Sequence, residues 1–357
     1  MIFFVLVLLL VIISGAHYSK PNEFNTDYIS KDGIAPIKGI FVILILFSHG
    51  RGYFTLEGVY DEMYLSVQGH LDQMVIAMFL FYSGYGIMEQ IKKRGFDYVK
   101  SIPQKRFPHL LLIFDIAVVF YMILYVALGN KLSLKTALLA LTGWQGILNS
   151  SWYIFVTFVL YIFTFIGFFA IKWIKDNRFK LVCIVAVTVL SFGLILVFMR
   201  YTEKERFWYD TLILYSLGLW YSYFKPYIEK VTMKNDVLYY VLFTVVLSAY
   251  IYFYNNKSVA SVNYEIWAVL FTLGIVMITM KVRIESRLLS WFGDHIFSIY
   301  ILQRIPMVIL RELGFADRHK YFFMILSIAI TVAIAAVYDD LTGRLTKLIW
   351  KPKKQIN

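Results

Sequence analysis

The chain has 357 residues, of which 60% are hydrophobic and only 16% charged, and its mean hydropathy is +0.67. This composition excludes a soluble globular domain and is typical of a helical protein that crosses the membrane many times. The formal net charge is +12. Because the Lys and Arg residues lie in short loops between apolar segments, this charge indicates membrane orientation and argues against nucleic-acid binding. The single cysteine, Cys183, excludes an internal disulfide and a Cys-rich metal site.

The hydropathy pattern predicts an all-α fold, a polytopic transmembrane helical bundle of about ten to eleven spans. The first apolar run lacks the basic start of a signal peptide, so we expect an uncleaved helix there. The stretch 131–148 is too polar to span and is predicted to be a re-entrant or interfacial helix. The predicted segments are 2–16, 35–54, 72–88, 108–128, 151–171, 181–199, 208–224, 236–254, 264–280, 290–310 and 321–338.

Loop charge predicts the orientation of the chain. When the basic loop 89–107 is placed in the cytoplasm and the segments alternate, 24 of the 35 Lys and Arg residues fall inside. The N-terminus is then outside and the C-terminus inside. We expect three parts: an extra N-terminal helix and cytoplasmic loop at 1–34, a membrane domain at 35–340, and a basic cytoplasmic tail at 341–357.

The second apolar segment carries two ionisable side chains, Lys38 near its start and His49 eleven residues later. Eleven residues at 100° each make three turns plus 20°, so both lie on one helix face, about 16 Å apart along the axis. Ionisable groups at membrane depth are costly and indicate a functional site. A cation at one membrane face and an imidazole deeper in suit an anionic donor with a reactive end.

This pair resembles the opening motif of the acyltransferase-3 family of integral membrane O-acyltransferases, in which ten residues separate a basic residue from a His. Four further motifs resemble those of the family and follow in its order. They are FLFYSGYGIMEQ at 79–90, KSIPQKRFP at 100–108, SSWYIFVTFVLY at 150–161 and WFGDHIFSIYILQRIP at 291–306. Two features depart from the family pattern. Gln303 stands where the family commonly has His, and Lys105 with Arg106 is the nearest match to an Arg-x-x-Arg loop.

The resemblance implies a membrane enzyme that transfers an acyl group from cytoplasmic acyl-CoA, with acetyl-CoA the expected donor and no metal. The implied acceptor is a hydroxyl of a cell-surface or capsular polysaccharide, or of its lipid-linked precursor. The implied location is a bacterial plasma or inner membrane, where the partners are membrane lipid and the glycan. The oligomeric state stays open.

Acyl transfer to a hydroxyl needs a base, and a His that titrates near neutral pH suits this role. His49 is the expected base, and a carboxylate at the same end, Asp72 or Asp210, is expected to orient it. The expected donor-binding residues are Lys38, Lys105 and Arg106, and the expected pocket residues are Ser83, Trp152 and Tyr153.

Each of these residues also has a structural interpretation. Lys38 could equally extend its side chain to the membrane surface without binding a ligand. Lys105 and Arg106 could equally contribute only to the positive charge of the cytoplasmic loops. Asp115 lies inside an apolar segment, where an ion pair with Arg106 is an equal alternative to a functional role. Intramembrane Lys, His and Asp would also serve a transporter or flippase, which is the alternative function from another class.

Overall fold

The fold is almost entirely helical, and a computed structural model describes residues 1–71, 73–258 and 261–350. A helix occupies each of the eleven predicted apolar segments, so the predicted all-α bundle is confirmed. The helices are α1 (Ile2–Ser14), α2 (Ala35–Gly50), α3 (Val59–Leu71), α4 (Met74–Arg94), α5 (Phe96–Ser101), α6 (Phe107–Ala127), α7 (Leu134–Leu141), α8 (Trp152–Phe168), α9 (Phe179–Tyr201), α10 (Ile213–Thr232), α11 (Asp236–Asn255), α12 (Ser261–Lys281), α13 (Arg287–Asp294), α14 (Ile296–Leu302), α15 (Arg304–Glu312), α16 (Phe315–Arg318) and α17 (Lys320–Ile349).

Eight helical stretches among the described residues are long and apolar enough to cross a membrane, which makes the chain a multi-pass membrane protein. Three predicted segments are absent from this set: α1 has 13 residues, α10 ends in a charged stretch, and 287–312 is divided into α13, α14 and α15. The eight stretches are Ala35–Tyr53, Val59–Arg94, Phe96–Ala127, Trp152–Lys172, Phe179–Tyr201, Asp236–Asn255, Val262–Lys281 and Lys320–Ile349.

Two helix pairs approach so closely that only glycine fits at the crossing. In the α2–α13 pair, a Cβ on Gly39 would lie 1.9 Å from the Leu289 carbonyl oxygen, and one on Gly293 would lie 1.9 Å from that of Ala35. In the α4–α10 pair, Gly84 lies equally close to the backbone of α10. Small residues allow membrane helices to pack backbone to backbone, so these crossings fix α2 and α4, the helices that carry Lys38, His49 and Ser83.

A short antiparallel ribbon joins the ends of two helical regions. Strand β1 (Ala16–Tyr18) pairs with β2 (Val282–Ile284), with His17 opposite Arg283. The sequence pattern did not predict it, because three-residue strands leave no periodic signal. The ribbon ties the segment after α1 to the linker between α12 and α13.

The stretch 131–148 forms the eight-residue α7 followed by an irregular loop. Ser133 caps α7 by accepting a hydrogen bond from the Thr136 amide (3.1 Å). The loop continues to Ser151, where α8 begins, and its last residues border the candidate site. Irregular backbone is tolerated at this depth when it lines a cavity.

Candidate active site

Helix α2 carries both Lys38 and His49, as predicted, and it is continuous from Ala35 to Gly50. Pro36 stands in its first turn, where the missing amide costs no helical hydrogen bond. Lys38 lies one turn from the start of the helix and His49 in its last turn. The two side chains therefore open into different cavities at opposite ends of α2.

The Lys38 end of α2 opens into a cavity of about 260 Å³, here called the Lys38 cavity. Ser83 and Tyr153 also line it, so it brings together three predicted site residues, Lys38 included. Tyr300, which was not predicted, completes the wall. Asp294 is close enough to act electrostatically on Lys38, but the described ion pairs include none between the two side chains. The Lys38 side chain therefore lines the cavity without a described ion pair to a carboxylate.

A basic groove adjoins the Lys38 cavity, because Phe297 lines both. The groove is lined by Lys105 and Arg106, which end a π-helical turn at Ile102–Arg106, and by His109, which follows it. Pro103 lies in this turn and lacks an amide, which favours the wider helix. The Arg106 guanidinium also lies 4.9 Å from the centre of the Tyr98 ring, a cation–π contact that fixes its position.

Tyr300 separates the Lys38 cavity from His49. It lines the Lys38 cavity and also a small enclosed cavity of about 80 Å³ that contains His49 and Trp152. Its ring centre is 6.2 Å from that of His49 and 5.7 Å from that of Tyr153, and its hydroxyl donates to the Ser150 carbonyl (3.0 Å). Two tyrosine rings therefore form the wall between the two ends of α2.

At the His49 end a second pocket of about 420 Å³, here called the outer pocket, opens beyond the imidazole. Its wall combines aromatic rings with amide and hydroxyl groups, and it contains one charged side chain, Arg304. Aromatic faces with amides around them suit the stacking and hydrogen bonding of a sugar ring. The lining residues are Ser48, His49, Gln73, Gly146, Asn149, Ser150, Ser151, Trp152, Phe207, Trp208 and Arg304.

Gln303 is the polar side chain that faces His49 from the break between α14 and α15. It is fully buried, and its Nε2 donates to the Tyr300 carbonyl (2.9 Å). Its carboxamide interacts with the imidazole, although His49 Nδ1 and Gln303 Oε1 are both buried without a hydrogen-bond partner of ordinary geometry. Pairing of these two atoms would satisfy both of them.

Gln303 and Arg304 were not predicted as site residues. The sequence marked Gln303 only as a departure from the family motif, and Arg304 was not considered. The sequence did contain one signal for Arg304. A charged residue inside the predicted span 290–310 indicates a functional site for the same reason as Lys38 in its own span.

The structure describes two of the three acidic candidates. Asp72 lies outside the described residues. Asp210 pairs with Arg206 (Nε to Oδ2, 3.1 Å), and its role beside His49 stays a prediction. Asp115 forms no ion pair with Arg106 among the described contacts, and its Oδ1 is buried without a hydrogen bond. Asp115 lies about two turns after the start of α6, too far along the helix to reach the guanidinium that stacks on Tyr98.

The comparisons with known proteins agree with this geometry. A family model described as an acyltransferase domain, that of the acyltransferase-3 family, matches residues 32–338. No curated protein and no solved structure matches the chain. The matched region begins just before α2 and ends within α17, so it includes every cavity-lining helix named above. Because the match spans most of its length, the chain belongs to the acyltransferase-3 family of membrane acyltransferases.

Proposed function

We propose that the protein transfers an acetyl group from cytoplasmic acetyl-CoA to a hydroxyl of a cell-surface polysaccharide or of its lipid-linked precursor. The observation that carries this proposal is the series of cavities along α2. A basic groove adjoins the Lys38 cavity through Phe297, and that cavity adjoins the His49 cavity through Tyr300.

The donor is assigned to the Lys38 end because the cations are there. Lys105, Arg106 and Lys38 line adjoining cavities, and loop charge predicts that this end faces the cytoplasm. Cationic side chains bind the phosphates of a nucleotide donor. The extended pantetheine arm of CoA has the same order of length as the separation of about 16 Å between Lys38 and His49 along α2. It would therefore bring the thioester past Tyr300 to the imidazole.

The chemistry is assigned to His49. Its ring takes the proton of the acceptor hydroxyl while the oxygen forms a bond with the acyl carbon. The carbon–sulfur bond then breaks, and the proton passes to the thiolate that leaves. Gln303 would support this step by accepting a hydrogen bond from Nδ1, since that bond leaves Nε2 as the basic nitrogen.

The acceptor is assigned to the outer pocket, whose aromatic and amide wall suits a sugar ring. Trp152 stacks edge-on with Phe207 (5.6 Å between ring centres), which leaves an aromatic surface beside His49. In this arrangement donor and acceptor approach the imidazole from opposite ends of α2.

The test is mass and NMR analysis of the surface polysaccharide of the host. It compares the wild type, a deletion strain, and the deletion strain complemented with His49→Ala or with His17→Ala. His17 is exposed in β1 and serves as the matched control. We expect the O-acetyl group to be lost in the deletion and with His49→Ala, and to be restored by His17→Ala.

Unchanged O-acetylation in the deletion strain would contradict the proposal. Retained transfer with His49→Ala, together with a block in movement of a glycan intermediate, would favour the transporter or flippase instead. In every strain the amount of protein in the membrane is measured by immunoblot, so that loss of activity is separated from loss of protein.

A further inference from the structure

Arg304 is a cation at the site without a carboxylate partner among the described residues. Its Nε is buried and has no hydrogen-bond partner, and the guanidinium group's side-chain hydrogen bond is to the Tyr53 hydroxyl, which is neutral. Its charge acts on Tyr53, Tyr121, Tyr300 and His49, and none of these is a carboxylate. No acidic side chain belongs to the described lining of the outer pocket.

A partly buried guanidinium with no carboxylate partner is costly in a membrane protein. Burial removes part of its hydration, and the cost is recovered best when an anion with good geometry meets it. Arg is the residue best suited to such a partner, because its planar fork binds a carboxylate or a phosphate through two parallel hydrogen bonds. The position of Arg304 in the wall of the outer pocket therefore indicates that the anion arrives with a ligand.

The donor is not the source of this anion in the proposed arrangement. The phosphates of acyl-CoA are assigned to Lys38, Lys105 and Arg106, on the other side of the wall formed by Tyr153 and Tyr300. The ligand that reaches Arg304 is then the acceptor. Its sugar ring would lie along Trp152 and Phe207 while its charged substituent meets the guanidinium.

We propose that the outer pocket is a binding site for an anionic sugar, one that carries a carboxylate or a phosphate, and that Arg304 selects it. This inference rests on the proposed function for the name of the acceptor, but the binding preference can be measured without any acyl transfer. A neutral sugar would leave the guanidinium without an anionic partner, so discrimination against it is expected.

The test uses the full-length protein, purified in lipid nanodiscs, and saturation-transfer difference NMR. The probes are a neutral methyl glucoside, a methyl glucuronide that carries a carboxylate, and glucose 6-phosphate. The variants are Arg304→Gln, Arg304→Lys and Arg311→Gln. Arg311 lies on the same helix α15, is exposed and does not line the pocket. Arg311→Gln is therefore the control for the loss of one positive charge.

We expect at least one anionic probe to bind about tenfold more tightly than the neutral one in the wild type and in Arg311→Gln. The comparison between glucuronide and phosphate identifies which anion is preferred. The preference should fall to near unity in Arg304→Gln and be partly kept in Arg304→Lys, which retains charge without the fork. Thermal unfolding of each variant shows whether the fold is intact.

Equal binding of neutral and anionic probes by the wild type would overturn the inference, and so would an anion preference that survives Arg304→Gln. Loss of acetyl transfer in Arg304→Gln with unchanged binding of all probes would also overturn it, since Arg304 would then act on the reacting groups. A clear anion preference without any acetyl transfer would contradict the proposed reaction and leave the anion site in place.

Discussion

The two ends of α2 open into cavities of different chemistry. At the Lys38 end the neighbouring walls carry Lys105, Arg106 and His109, whereas at the His49 end they carry amides, hydroxyls and aromatic rings around the single charge of Arg304. Two tyrosine rings lie between them. The difference shows how, in the proposed mechanism, one helix would hold a highly charged donor and a sugar acceptor apart and still bring both to one imidazole.

The largest effect is expected from replacing His49, the proposed base, which tests whether the two ends of α2 have separate roles. His49→Gln should lower the rate of acyl transfer about 10²- to 10⁴-fold, the usual contribution of general base catalysis. Binding of acetyl-CoA should stay within about twofold, because the donor phosphates are assigned to the other end. Single-turnover kinetics and equilibrium binding of radiolabelled acetyl-CoA measure the two effects. Equal losses in rate and donor affinity would show that the two ends do not have separate roles.

The converse change removes charge at the donor end. Lys38→Met and Arg106→Met should each raise the KM for acetyl-CoA about 10- to 100-fold, the value of a charge-assisted contact, and change kcat much less. Lys93→Met is the matched control, since Lys93 is exposed and lines none of these cavities. Steady-state kinetics at varied donor concentration decide the question. A fall in kcat with an unchanged KM would place these cations outside donor binding.

A smaller effect is expected when Gln303 is replaced, because in the proposed mechanism it acts through His49. Gln303→Leu should lower kcat about tenfold, in the range found when partners of functional His residues are removed. Gln303→Glu should restore part of the rate because it retains an oxygen that can accept from Nδ1. Nitrogen NMR of labelled histidine, with His49→Gln for assignment, should show Nδ1 protonated only when residue 303 offers an acceptor. An unchanged tautomer in Gln303→Leu would argue against this role.

The smallest effect on chemistry is expected from the packing beneath the Lys38 cavity. In Gly84→Ala the new Cβ would lie 2.0 Å from the Tyr215 carbonyl oxygen, so α4 and α10 must separate at a cost of about 1–3 kcal/mol. Gly86→Ala, two residues along the same helix, meets nothing within 4 Å and should leave stability unchanged or raised. Thermal unfolding in detergent compares the two variants. Equal melting temperatures would show that this crossing tolerates separation.

The sequence predicted the all-α bundle and the relation between Lys38 and His49, but not α3 at Val59–Leu71 or the division of 287–312 into three helices. Membrane helices can be recognised from the length of their apolar segments, and the relative position of two side chains on one helix follows from its pitch. Ser83, Trp152 and Tyr153 were found through family motifs, and the structure places them on the same series of cavities.

The remaining parts depend on contacts between distant segments. Tyr300, Gln303 and Arg304 meet His49 only because the helix at 287–312 is interrupted and packs against α2, which no local pattern encodes. Asp210 is a different case. Its place near a segment end predicted a role beside His49, and that role stays a prediction; its described ion pair is with Arg206, four residues away.

The close crossing of α2 with α13 at glycine residues also determines which side of the helical bundle can open. Because α2 and α13 pack backbone to backbone at Gly39 and Gly293, they have no room to slide or tilt against each other. This side of the bundle is therefore rigid. The opposite side is different: cavities lie between α6 and α17, and one hydrogen bond, from the Tyr338 hydroxyl to the Ile113 carbonyl, joins the two helices. In the proposed mechanism, a donor as long as CoA would therefore enter by movement of α6 against α17.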